Sequence, residues 1–344
     1  MGILFRETAN SEREGVQALG ALLRDMKAPF GRGDRVGIKL HWGERGNRTH
    51  LPPFYARQIA RWLIDQGAKP FVFDTSVLYS GGRRTGKDSL ETAAGHGYTP
   101  AYLGCEVLIA DGLDGRSVVD LPCSYRHFKS VQAGEVFSQA EGFVIFSHFK
   151  AHLASGFGGA IKNLSMGFGS RAQKQRMHAD AKPVLSRKKC SRCGVCAEVC
   201  PTGAASLGDD ADGYPVYDLK KCVGCAQCIA MCPELALRIS FSSDAQAFQE
   251  KLVETAAAVW KKIEGKAVLV NALLNIASEC DCMPGKLDYI AGDIGLLGGY
   301  EPVALDLESV RRVGEGIIDG THPGVPWRRQ FSYAREIGFP AAPK

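Results

Sequence analysis

Between Cys190 and Pro233 the chain sets eight of its twelve cysteines in two runs of one spacing, C-x2-C-x2-C-x3-C-P. The first run is Cys190, Cys193, Cys196 and Cys200, closed by Pro201. The second is Cys222, Cys225, Cys228 and Cys232, closed by Pro233. Thiolates are soft ligands, and a 4Fe–4S cubane takes four of them at tetrahedral corners. Three close cysteines wrap one face of such a cluster, and the fourth arrives from elsewhere. Zinc also takes C-x2-C pairs. It would use them two by two and leave the third cysteine and the x3-C-P tail without a role. The chemistry expected here is one-electron transfer.

Over about Pro183 to Ile239 the segment resembles two-cluster bacterial ferredoxins, in which the fourth cysteine of a run serves the other cluster. The resemblance implies one cluster on Cys190, Cys193, Cys196 and Cys232. It implies a second on Cys222, Cys225, Cys228 and Cys200.

A second group of chemical side chains gathers where strands end. Val36–Leu40 reads as a strand, and period two puts Lys39 and His41 on one face. Another strand, Gly142–Ser147, runs into His148-Phe149-Lys150-Ala151-His152. Basic groups this close repel one another unless an acid or a ligand is present. In open α/β sheets, ligands bind outside the carboxyl ends of the strands. His41, His148 and His152 are therefore expected to move protons, and Lys39, Lys150 and Lys162 to hold an anion or a cofactor.

The glycine-rich stretch from Ser155 to Arg171 follows. Glycines let backbone N–H groups approach an anion, and a helix N-terminus adds its positive end. Gly156, Gly158, Gly159, Asn163 and Arg171 are the candidate cofactor-binding residues. The stretch is not a dinucleotide fingerprint, since Ile161 stands at the third glycine, and it is not a P-loop. A small anion such as phosphate or carboxylate is expected, with a flavin, a nucleotide or a metal as the candidate further cofactor. Cys280 and Cys282, flanking Asp281, could hold a soft metal, flank a reactive centre, or be plain buried thiols. Cys105 and Cys123 read as core fillers, Asp111 as a turn residue, and the four tryptophans as packing. Asp293–Gly299 reads as a second glycine-rich turn lining the cleft, and Asp306 as the cap of the last helix.

Alternating elements must position these groups. Helices are expected over 11–27, from Phe54 to about Gln66, near Ser89–Gly95, over 133–140, over Asp244–Lys262 and near Leu305–Ile318. Strands are expected over 36–40, 70–74, 106–111, 142–147 and 267–271, with an antiparallel pair near 117–121 and 125–131. Apolar strands alternating with helices predict a mostly parallel α/β sheet covered on both faces. The cysteine segment interrupts that domain. The expected division is 1–182 and 241–344 for the two parts of the α/β domain and 183–240 for a ferredoxin-like α+β insertion. The Pro-rich tail from Thr321 is expected to pack irregularly on the surface.

The pattern from His148 to Asn163, with Lys39-x-His41 and Glu279-Cys280-Asp281-Cys282, resembles an uncharacterised family, the domain of unknown function 362. Its members often carry an embedded ferredoxin segment. The resemblance covers nearly the whole chain and implies iron–sulfur binding. More distantly, His152, Gly156, Phe157, Gly159 and Lys162 are similar to a loop of nickel-pincer lactate racemases. That likeness implies a histidine facing the cofactor and a lysine carrying it covalently. The racemase Asp-x-Thr-Arg-Pro segment has no counterpart; Lys39-Leu40-His41-Trp42 stands in its place.

The 344 residues are 45% hydrophobic and 23% charged, an ordinary globular balance. The net charge of +5 comes without a run of like charges, which argues against a nucleic-acid partner. No apolar run is long enough for a membrane span, and the start does not read as a secretory leader. A cytoplasmic iron–sulfur protein is expected, working with a redox partner protein. Its functional reading is an oxidoreductase whose clusters serve a ligand in the cleft. The alternatives are a non-catalytic carrier or assembly partner, and a metal-cofactor isomerase with structural clusters.

Overall fold

The computed structural model describes residues 2–78, 81–178, 183–208, 212–222, 226–238 and 244–340. Seven strands form the main sheet: β1 (Leu4–Glu7), β2 (Arg35–Lys39), β3 (Lys69–Asp74), β4 (Glu106–Ile109), β5 (Gly142–His148), β6 (Ala267–Leu273) and β7 (Gly295–Gly299). Their spatial order is β1-β7-β6-β5-β2-β3-β4. The run from β6 to β4 is parallel throughout, whereas β7 is antiparallel to both β6 and β1. The fold is therefore a mixed α/β structure around a large, mostly parallel sheet.

Alternation along the strands sends side chains to two separate cores. Val36, Ile38, Val72, Val144, Val268 and Val270 face one side. There they meet α1 (Glu12–Asp25) and α2 (Pro53–Asp65). Phe71, Phe73, Phe143, Ile145 and Leu269 face the other. That side is covered by α3 (Ala160–Ser165), α4 (Arg171–His178), α5 (Ala245–Ile263), α6 (Pro302–Val313) and α7 (Arg328–Glu336). Ser11 caps α1 by accepting the Glu14 N–H, and Pro53 opens α2 at a position where a missing N–H costs nothing.

Several expectations need correction. The helix expected over 133–140 is absent; Ser130–Gly134 is instead a strand paired with Val118–Pro122, and only a short 3-10 turn follows at Phe137–Gln139. The late helix is two, α6 and Glu315–Thr321, broken at Gly314, whose φ is +105°. The tail is not irregular: α7 packs on α5 and buries Phe331 and Tyr333, with Trp327 buried just before it. Asp293–Gly299 is not a turn lining the cleft, because β7 lies inside the sheet between β1 and β6. Its glycines suit a strand squeezed between neighbours. A Cβ on Gly298 would come 2.8 Å from the Met26 sulfur.

The cysteine runs fold as a repeat. Helices Val195–Glu198 and Gln227–Met231 start at equivalent points of the two runs. Each is preceded by a left-handed residue, Gly194 at φ +77° and Ala226 at φ +62°. A two-residue antiparallel ladder, Val184–Leu185 against Leu237–Arg238, closes the segment.

Candidate functional site

The carboxyl ends of β2, β3 and β5 open into a cavity of about 290 Å³, closed on the far side by α3, α4 and the turn at Cys280–Cys282. It gathers all six expected catalytic residues: Lys39, His41, His148, Lys150, His152 and Lys162. Gly158, Gly159 and Asn163 line it as well. Gly156 does not; a Cβ there would meet the Trp327 Cβ at 2.5 Å, so it is a packing glycine at φ +76°. Arg171 does not either. It points its Nη1 toward the Met231 sulfur, 4.0 Å away in the cysteine segment.

Five cations line the cavity (Lys39, Arg83, Lys150, Lys162 and Lys174) against one carboxylate, Asp74. Asp74 holds two of them, at 2.9 Å from Lys39 and 3.0 Å from Arg83. Burial would raise its carboxyl, yet Lys39 and Arg83 hold it below the ordinary range. Lys39 also donates to Asn163 Oδ1 and the Leu40 carbonyl, so its three donors are committed. Gly167 makes room for it: a Cβ there would come 2.6 Å from the Lys39 Cε.

Lys174 is placed differently. Its Nζ donates to Thr75 Oγ1, the Ser76 carbonyl and the Gly169 carbonyl, and it has no carboxylate partner among the described residues. Burial pulls it down to about 8, against the attraction of Asp111. Asp111 is more than a turn residue: it is fully buried and accepts the Ser76 N–H.

Behind the wall lies Asp281. Its Oδ2 meets Lys150 at 2.7 Å and His148 Nδ1 at 2.8 Å. Burial would raise this carboxyl, but His148 and then Lys150 hold it far below its ordinary range. The other nitrogen of His148 faces the Leu274 carbonyl at 2.8 Å, so both ring nitrogens face acceptors. His148 and Lys150 are thus tied to the Cys280–Cys282 turn.

His41 and His152 keep one nitrogen for the cavity. The Gly43 N–H donates to His41 Nδ1 at 3.0 Å, and the Ala154 and Ser155 N–H groups donate to His152 Nδ1 at 3.1 Å. Each ring therefore carries its proton on Nε2. Burial, then the charge of Arg83, lowers His41 well below 6.5. Burial, then Lys162, lowers His152. Neutral imidazoles result, and the remaining N–H of His152 is engaged by the Cys280 sulfur.

Lys162 Nζ stands 3.7 Å from Cys280 Sγ. Burial alone would lower this lysine, but the Cys280 sulfur overrides it and raises it. Cys280 is held well below the ordinary thiol range by its contact with Cys282, then by Lys162 and His152, while the same contact pushes Cys282 up. Among the described residues no three His, Cys, Asp or Glu side chains converge on a single metal ion.

The N-terminus of α3 is already occupied. Asp306, expected to cap its own helix, sits inside α6 and accepts the Ala160 and Ile161 N–H groups at 2.7 and 2.8 Å. The glycine-rich loop is thus closed by a side chain of the protein. No local pattern marks Lys174, His178 or Asp306 for this site. Their contacts cross the fold and follow no local spacing.

In the cysteine segment, Cys190, Cys193, Cys196 and Cys232 line one small pocket. Cys190, Cys200 and Cys232 each accept a backbone N–H on sulfur at 3.3–3.4 Å. Cys225 lies outside the described residues. Arg84 ties the segment to the α/β domain, donating to the Cys232 and Pro233 carbonyls at 2.7 and 3.2 Å. No helix among the described residues is long and apolar enough to cross a membrane.

Comparison with solved structures finds a Thermotoga maritima protein at 11% identity and a TM-score of 0.50, covering 92% of this chain and 60% of that one. The lactate racemase apoprotein of Thermoanaerobacterium thermosaccharolyticum is similar at 11% identity and a TM-score of 0.42, over 90% of this chain and 56% of that one. The chain thus spans under two thirds of the length of either. No curated protein matches. A family model described as Domain of unknown function (DUF362) matches residues 36–311, and the chain belongs to that family.

Proposed function

We propose that the chain is an iron–sulfur oxidoreductase. The 183–240 segment is a ferredoxin-like insertion holding two 4Fe–4S clusters, and the cleft takes a small anion that exchanges electrons with them. The observation that carries the first half is the pocket lined by Cys190, Cys193, Cys196 and Cys232. The fourth thiol there comes from the second run, as crossed ligation requires. Backbone N–H groups aimed at cysteine sulfurs favour thiolates and raise the potential of what they bind. The second half rests on the five cations lining the cavity, above all Lys174, which makes no ion pair among the described residues.

When bound, the clusters would supply one-electron chemistry. The chain's own groups do the rest. Lys174 and Lys162 attract the anion, Asp74 and Asp281 hold Lys39 and Lys150 in place, and the Nε2–H of His41 is a hydrogen-bond donor for it. Arg84 binds the segment beside Arg83 of the cavity wall. Helix α4 carries Arg171 against the segment and Lys174 in the cavity.

Anaerobic purification with iron and sulfide analysis tests the first half. Iron near eight per chain is expected, falling by about half in Cys232→Ser, since each cubane holds four irons. Zinc in place of iron would sink it. Calorimetric titration with inorganic phosphate and with oxalate tests the second. Binding that weakens about tenfold or more in Lys174→Met supports it, and no binding of either anion favours a carrier that docks on a larger redox enzyme.

A further inference from the structure

The turn between the two halves of the cavity wall carries a feature that electron transfer to an anion does not by itself require. Cys280 and Cys282 both line the cavity, and the Met283 N–H donates to the Cys280 carbonyl at 2.9 Å. They are the first and third residues of one β-turn. Two trans peptides folded this way leave those Cα atoms roughly 5.5 Å apart, the separation at which disulfides form. The Cys280 side chain folds back over the turn, since the Cys282 N–H donates to its sulfur at 3.4 Å. The turn is held from both sides. The Asp281 side chain is gripped by Lys150 and His148, and its carbonyl accepts the Glu44 N–H at 2.8 Å. The two side chains are in contact across the turn. Cys105 and Cys123, by contrast, pack into the two hydrophobic cores.

We propose that Cys280 and Cys282 are a redox couple, a dithiol that closes to a disulfide in the cleft and serves as its two-electron store. This rests on the reading of the cysteine runs as two clusters only for the source of its electrons. The S–S bond breaks on reduction and takes two electrons, one from each 4Fe–4S cluster. One proton, taken from solvent, goes to the Cys282 sulfur. Cys280 remains a thiolate facing the Lys162 ammonium, and oxidation runs the same steps backward. The couple solves a matching problem: clusters pass electrons singly, whereas most organic anions change by two. Lys162 favours the reduced form, because it pairs with a thiolate and has nothing to pair with in a disulfide.

The test uses the anaerobically purified wild-type protein. Samples are equilibrated in dithiothreitol buffers of graded potential and quenched with N-ethylmaleimide. The peptide containing Cys280 and Cys282 is then weighed. The expected result is one transition from doubly labelled to unlabelled and two hydrogens lighter, with about 30 mV per tenfold change in the ratio. Lys162→Met should move the midpoint to more negative potential, whereas a purely structural lysine would leave it in place. Two labels at every potential would overturn the proposal, as would labels lost one at a time. Iron analysis of the same samples reads the clusters separately. A disulfide that forms in protein without iron upholds the couple and removes the proposed function.

Discussion

A single change at Asp281 strips two bases in the wall of the cleft of their partner. The aspartate is fully buried, its carboxylate meets Lys150 at 2.7 Å and His148 at 2.8 Å, and the Lys150 side chain is only 7% exposed. Replacing it by Asn keeps the shape and removes the charge that both bases face. Removing one partner of a buried pair costs about 3–5 kcal/mol, because the other is left charged out of water. Lys150→Met alone should cost less, since His148 still pairs with the carboxylate. In the double variant no lysine is stranded, so it should cost less than the sum of the two, with a coupling of about 1–3 kcal/mol. The assay is urea unfolding of anaerobic protein followed by tryptophan fluorescence; Trp42 is fully buried a few residues before Glu44, whose N–H donates to the Asp281 carbonyl. The dependence on pH has a definite sign. The folded carboxyl is depressed, so its stabilisation is fully present above the unfolded value near 3.9 and is lost as pH falls through the folded one. Asp281→Asn should flatten that acid limb. Additivity within about 0.5 kcal/mol would refute the pairing, and an unchanged acid limb would refute the charge argument.

Asp306 has the opposite sign. Burial, opposed by the Ile161 N–H, raises it from 3.8 to about 6, worth about 3 kcal/mol. Its contribution is complete below the unfolded value and lost as pH rises through about 6, so wild type should lose stability relative to Asp306→Asn between pH 4 and 7 in urea titrations. Cys280 should react with iodoacetamide at a rate nearly flat from pH 6 to 9, read by peptide mass, while Cys105, pushed up to about 11 by burial, stays slow; equal profiles would contradict the site's electrostatics. Arg84→Met removes two bonds to the Cys232 and Pro233 carbonyls and should increase limited proteolysis within 183–240 at unchanged sheet content by circular dichroism.

What the sequence disclosed and withheld follows from the range of the interactions. The parallel core strands were legible because β2, β3, β5 and β6 are short apolar runs between helical patterns, and α1, α2 and α5 because their apolar faces repeat at helical spacing. The clustering of the basic residues at the ends of β2 and β5 was legible because a strand end fixes where the next residues point. The strand at β7 was hidden by its glycines, which read as a turn until neighbours crowd them. Helix α7 was hidden behind Pro323 and Pro326, although Phe331 and Tyr333 needed covering. Asp306 looked like a cap for its own helix; its true partner, the start of α3, lies about 145 residues away. Lys174 reaches oxygens of Thr75 and Ser76 nearly a hundred residues before it.

The two-residue ladder between Val184–Leu185 and Leu237–Arg238 has a consequence for how the chain assembles. The central parallel pair of the sheet, β5 with β6, joins Ser147 to Asn271 across the whole cysteine segment. Closing so long a loop is slow, and its entropic cost grows with the logarithm of its length. A segment that knits its own ends together first shortens the effective loop to its flanks. During synthesis the cysteine runs emerge before β6 exists, so they can fold as a knot in the string, leaving the sheet a much shorter gap to bridge. The segment is then a removable cassette: replacing 184–238 with a short glycine linker should leave the α/β domain folded, read by circular dichroism and cooperative urea unfolding.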